Sequence, residues 1–115
     1  MKDTPRLLAE DELKLIRKTC REVLEKWGLT DAEVWLFGSC ATGKHAVKAD
    51  LDVFVDASTH PLSLRERTAL GEELKAALEW ELEMWVDLII WDGRPLPGLP
   101  EDFTEYVKET GVRVC

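Results

Sequence analysis

Residues 84–91, Met-Trp-Val-Asp-Leu-Ile-Ile-Trp, constrain this chain more than any other stretch. β-branched and aromatic residues dominate it, which makes it the strongest strand signal in the sequence. A single carboxylate, Asp87, interrupts the apolar run. Burying a carboxylate is costly unless it is paired or binds a cation. Whatever lies beside this strand must therefore answer the charge of Asp87.

Two more strand candidates precede it. Glu33–Phe37 is short, rich in β-formers and ended by Gly38, and Leu51–Asp56 alternates apolar and acidic residues at its start. Helical patterns separate them. Leu13, Ile16, Cys20, Val23, Leu24 and Trp27 form one apolar stripe that Gly28 stops, with Thr4-Pro5 as an N-cap and first-turn pair for an upstream turn. Ser63 and Glu66 have capping-box spacing, and Leu70, Leu74, Ala77 and Leu78 continue that helix to about Trp80. Asp92–Pro100 reads as a connection. Pro100-Glu101-Asp102 predicts a last helix with Pro in its first turn, buried through Phe103, Tyr106 and Val107 and stopped by Gly111. Val112–Cys115 reads as a short edge strand. The order α-β-β-α-β-α(-β) implies an α+β fold, an α/β sandwich in which helices cover a small mixed sheet.

Length suits one domain over residues 1–115, with 45% hydrophobic and 33% charged residues as in an ordinary globular protein. The net charge of −8 repels polyanions, so direct nucleic-acid binding is not expected; a nucleotide would need a divalent cation with it. Cys20, Cys40 and Cys115 are odd in number and widely spaced, which argues against a disulfide framework and a zinc site and for reduced thiols in a cytoplasm. No apolar run is long enough for a membrane span, and the opening residues are too acidic for a signal peptide.

The carboxylates show a pattern. Alternation puts Asp50 and Asp52 on the same side of their strand, roughly 6–7 Å apart at Cα, while Leu51, Val53 and Val55 face the core. If the strand at 84–91 is a neighbour, Asp87 joins them. Oxygen-only ligands clustered in this way suit Mg²⁺, which also accepts phosphate oxygens and water. Two such ions about 3.5–4 Å apart make the arrangement used for phosphoryl and nucleotidyl transfer. Gly38 lets the backbone approach a phosphate, Ser39 caps the turn or donates to a phosphate oxygen, and successive N–H groups form an anion nest. Gly43 keeps the same loop flexible, and Lys44 and Lys48 add positive charge on the approach.

Taken alone, each of these residues also has a plainer reading. Asp50 and Asp52 could be a solvated strand start, Asp87 could pair with an arginine, and Lys44 and Lys48 could be surface lysines. His45 reads as a loop residue, His60 as part of a turn, and Cys40 lacks an adjacent base that would make it a nucleophile. Trp27, Trp35, Trp85 and Trp91 are expected in the core or at its rim; several exposed ones would mark a protein interface.

The stretch from Leu36 to Asp56, followed by Val86–Ile90, resembles the minimal nucleotidyltransferases of the DNA polymerase beta superfamily over roughly residues 10 to 110. Their pattern is Gly-Ser, about ten residues, Asp-x-Asp, then a third Asp on a later strand; here these are Gly38, Ser39, Asp50, Asp52 and Asp87. The resemblance implies the polymerase beta-like fold and two Mg²⁺ ions held by Asp50, Asp52 and Asp87. It implies a nucleoside triphosphate, ATP, whose β/γ-phosphates touch Gly38 and Ser39, with Lys44 nearby. Asp87 would help deprotonate an acceptor hydroxyl. Such proteins commonly accompany a small helical HEPN toxin as its antitoxin, and some transfer AMP to a toxin tyrosine. Alternatives are an antitoxin that only masks its partner and the nucleotide-binding subunit of a small-molecule nucleotidyltransferase. Homo- and hetero-oligomers are both open. The sequence departs from the family where Cys40 and Thr42 replace the usual basic residues after Gly-Ser.

Overall fold

The computed structural model describes residues 10–38, 51–96 and 98–115. Helix α1, Glu10–Lys26, buries Ile16, Thr19, Cys20, Val23 and Leu24 along one stripe. It ends at Gly28, whose φ of 77° is left-handed. The Gly28 N–H donates to the Glu25 carbonyl (3.0 Å) and the Leu29 N–H to the Leu24 carbonyl (2.8 Å), the Schellman pairing that satisfies the terminal carbonyls.

Strand β1, Glu33–Phe37, runs antiparallel to β2, Leu51–Asp56. Helix α2, Leu64–Leu82, starts on a complete capping box: Ser63 Oγ accepts from the Glu66 N–H, and the Glu66 carboxylate accepts from the Ser63 N–H. It leads to β3, Val86–Trp91, which pairs with β2 in parallel. A parallel pair needs a crossover of about this length, and α2 provides it. Helix α3, Phe103–Thr110, and β4, Val112–Arg113, complete the described elements, with β4 antiparallel to β1. The strand order is β3-β2-β1-β4, a four-stranded mixed sheet.

The sheet is buried on two sides, with unequal cover. On one face Val34, Leu36, Leu51, Val53, Val55, Val86 and Ile90 meet α1 and α2 through Ile16, Cys20, Leu24, Leu70, Leu74 and Leu78. On the other face, among the described residues, the short α3 packs. Phe103 stands edge-on to Phe37, ring centroids 5.5 Å apart, and 6.0 Å from Phe54, which itself stacks on Trp91 at 6.4 Å.

Three expectations change. The last helix begins at Phe103, not Pro100: the Phe103 N–H closes a turn onto the Pro100 carbonyl (3.1 Å), and Asp102 is the N-cap residue without a side-chain cap bond. The chain turns once before α3, so Pro100 shapes its approach. Trp85 is 72% exposed, neither core nor rim, and Trp80 is exposed as well. Asp87 is not buried either; it lies exposed on its strand, so no desolvation cost arises there. The upstream turn at Thr4-Pro5 lies outside the described residues. Among the described residues no helix is long and apolar enough to cross a membrane.

Candidate active site

Side chains alternate across strands, so the pairing register decides which of them share a face. Asp52 is the Cα partner of Asp87 across the parallel β2–β3 ladder and of Phe37 across the antiparallel β1–β2 ladder. Neighbouring strands are about 4.8 Å apart, which brings the two carboxyl groups side by side on the face opposite α1 and α2. Leu51 and Val53, flanking Asp52, are fully buried on the helical side. The hydrophobic anchoring of β2 therefore aims Asp52 outward, and the same argument through Val86 and Ile90 aims Asp87.

Gly38 completes this end of the sheet. It follows β1 with φ 71°, a left-handed conformation, and a Cβ added there would overlap the Asp52 Oδ2 atom. Both reasons call for glycine: the turn needs the backbone conformation, and the carboxylate occupies the space a side chain would need.

At the opposite end of the same face the acid is already neutralised. Lys108 Nζ of α3 lies 2.7 Å from Asp56 Oδ2 and 3.7 Å from Glu33 Oε1. Burial pushes the Asp56 carboxyl up, and the Lys108 ammonium with two hydrogen bonds from Ser58 outweighs that, leaving it below the ordinary range. The bond to Asp56 raises the Lys108 ammonium in turn. Helix α3 thus closes one end of the face and does not reach Asp87, which lies exposed, with Phe37 and Phe103 packed between the two ends.

Of the residues expected at the site, the structure brings together Gly38, Asp52 and Asp87. Ser39, Lys44 and Asp50, like Cys40, Thr42, Gly43, His45 and Lys48, lie outside the described residues. Among the described residues no group of three or more His, Cys, Asp or Glu is placed to hold a metal ion. The Asp52–Asp87 pair supplies hard oxygen donors on one surface, which fits Mg²⁺ better than a softer ion. Two other assignments are clarified. Cys20 is a core residue whose thiol burial pushes up to about 12, so it is inert as a nucleophile. His60 sits in a turn, bonded through Nε2 to Asp31.

Trp85, expected in the core or at its rim, is instead exposed next to this pair. Its carbonyl accepts from the Leu51 N–H at 2.9 Å, so the β2–β3 ladder already includes it. Two residues before Asp87, it shares that face by alternation. The spacing Trp-x-Asp carried this signal, but the apolar character of the run suggested burial instead.

A family model described as Nucleotidyltransferase domain matches residues 16–109. Among curated proteins none matches the chain significantly. Seven chains of solved structures match it, among them the following three. A toxin–antitoxin crystal structure with AMP-PNP is 21% identical, covering 86% of this chain and 72% of that one, with a TM-score of 0.58. The toxin–antitoxin MntA-HpeT, in a form carrying two Asp-to-Glu changes, is 19% identical over 86% and 72% of the two chains, with a TM-score of 0.57. A complex of tri-AMPylated Shewanella oneidensis HEPN toxin with MNT antitoxin gives 20% identity over 90% and 71%, with a TM-score of 0.54. At these identities the likeness is one of fold. The family match spans both strands that carry the paired aspartates, and on that evidence the chain belongs to the nucleotidyltransferase domain family.

Proposed function

We propose that the chain transfers AMP from ATP to a hydroxyl group of a protein acceptor, a tyrosine of a small helical HEPN toxin, and acts as that toxin's antitoxin. The observation that carries this reading is the register of Asp52 with Asp87 beside the Gly38 turn. Asp50, Asp52 and Asp87 would hold two Mg²⁺ ions, which when bound neutralise triphosphate charge and orient the α-phosphorus. Gly38 and Ser39 would meet the β/γ-phosphates through backbone N–H groups, with Lys44 adding a cation. Asp87 would accept the proton of the attacking hydroxyl. The neighbouring folds support the partner, since one holds AMP-PNP and another an AMPylated HEPN toxin.

A masking antitoxin without chemistry is the second reading. Cys40 and Thr42 favour it, because they stand where the family often has basic residues that would bind triphosphate. Label transfer separates the two. Purified protein, Mg²⁺, α-labelled ATP and the helical protein from the neighbouring reading frame should yield labelled acceptor, and Asp52→Asn with Asp87→Asn should remove the label. Toxin neutralisation that persists in this double variant, with no label transfer by the wild type, would establish masking instead.

A further inference from the structure

We infer that Trp85, on the outer edge of the sheet, docks the acceptor polypeptide and positions its hydroxyl group; this rests on the transfer reading above. The reaction forms a bond from the acceptor oxygen to the α-phosphorus of ATP and breaks the bond from that phosphorus to the bridging oxygen. Pyrophosphate leaves with the electron pair of that bond, and the acceptor proton passes to Asp87 and then to solvent. Attacking and leaving oxygens lie roughly in line. With the β/γ-phosphates at the Gly38 turn, at the end of β1, pyrophosphate leaves toward β1. The acceptor must then approach from the opposite side, across β2 and over β3.

What stands on that side is Trp85. β3 is the outermost strand there, so among the described residues no further strand shields it. Trp85 shares the face of Asp87 by alternation, two residues and roughly 6–7 Å away along the strand. At 72% exposed, its indole finds little cover within the chain. An exposed tryptophan at the rim of a reaction centre is also the residue type that most often carries binding energy in protein contacts.

The test compares wild type, Trp85→Ala and Trp85→Phe. Three quantities are measured: KM for the helical acceptor protein, Mg·ATP affinity by calorimetry, and the slow hydrolysis of ATP to AMP and pyrophosphate, in which water replaces the acceptor. Trp85→Ala should raise the acceptor KM at least about tenfold, the loss expected of a truncated anchor residue. Mg·ATP affinity and hydrolysis should stay at wild-type values, and Trp85→Phe should recover most of the effect. An unchanged acceptor KM overturns the inference. So does a loss confined to Mg·ATP affinity, which would make Trp85 a base-stacking residue. If the wild type neither binds Mg·ATP nor transfers label, the transfer reading fails and takes the inference with it.

Discussion

Gly38 and Asp52 occupy adjoining space: the position a side chain on residue 38 would need is filled by the Asp52 carboxylate. Since φ at Gly38 is 71°, Gly38→Ala also forces a left-handed alanine, at a cost of about 1–2 kcal/mol. Gly28 provides the control, with φ 77° and nothing within 4 Å of an added Cβ. Both alanine variants should lose a similar amount of stability in urea melts, with Gly38→Ala losing somewhat more. Only Gly38→Ala should lose nucleotidyl transfer. Equal activities in the two variants would show that the approach of residue 38 to Asp52 has no role in the reaction.

Asp87→Asn should separate stability from activity. Like charges side by side on neighbouring strands destabilise a sheet by about 0.2–1 kcal/mol. Without divalent cation and at low ionic strength, the variant should melt at the wild-type temperature or a few degrees higher. Added Mg²⁺ should raise the melting temperature of the wild type and have a smaller effect on the variant, because a ligand stabilises only the state that binds it. Transfer activity should fall by about 10²-fold or more. A variant that melts well below wild type would mean that Asp87 serves the fold.

Lys108→Ala tests the closed end of the face. In the wild type the Asp56 carboxyl lies below its ordinary value, so the pair's stabilisation is present above the unfolded pKa of about 3.9 and is lost as pH falls through the lower folded value. The Lys108 ammonium is raised, so its contribution holds below about 10.4 and is lost as pH rises through the higher folded value. The pair therefore contributes across the neutral range. Removing Lys108 leaves burial of the Asp56 carboxyl opposed only by the bonds from Ser58, so the variant should lose about 1–3 kcal/mol at pH 7 and less at pH 3. Chemical denaturation at the two pH values checks this. A loss equal at both would assign the effect to packing of the lysine stem.

Asp92 fastens the turn after β3. Its inaccessible carboxylate accepts from the Arg94 N–H at 3.2 Å and the Arg94 Nε at 3.1 Å, while Arg94 Nη2 also donates to the Leu62 carbonyl at 2.6 Å. The bonds from Arg94 hold the Asp92 carboxyl below the ordinary range. Asp92→Ala should cost about 1–3 kcal/mol, because these donors lose their shared acceptor. Transfer activity per folded molecule should stay unchanged, since the turn lies at the far end of β3 from Asp87. Reduced specific activity at full folding would instead tie this turn to the site.

Much of the architecture was legible in the chain. The stripe from Ile16 to Leu24, the capping box of Ser63 with Glu66, and the β-branched run before Trp91 are local patterns. Each matches its element because propensity, periodicity and capping act over a few residues. The boundary at Pro100 was misread because a proline suits both a first helical turn and the turn before it. The burial of tryptophans was misread for a different reason. An apolar side chain records its own hydrophobicity, and whether a helix covers its face depends on chain segments far away.

By itself, then, the sequence determined the elements, their order and the two aspartates that alternation sends to one side of each strand. The pairing register decided that Asp52 and Asp87 meet, because a shift of one residue would have turned one of them into the core. The short reach of α3 decided that Asp56 is neutralised by Lys108 while Asp87, at the other end of the face, lies beyond that helix and exposed. Such outcomes come from packing between distant segments, and no local pattern of residues encodes them.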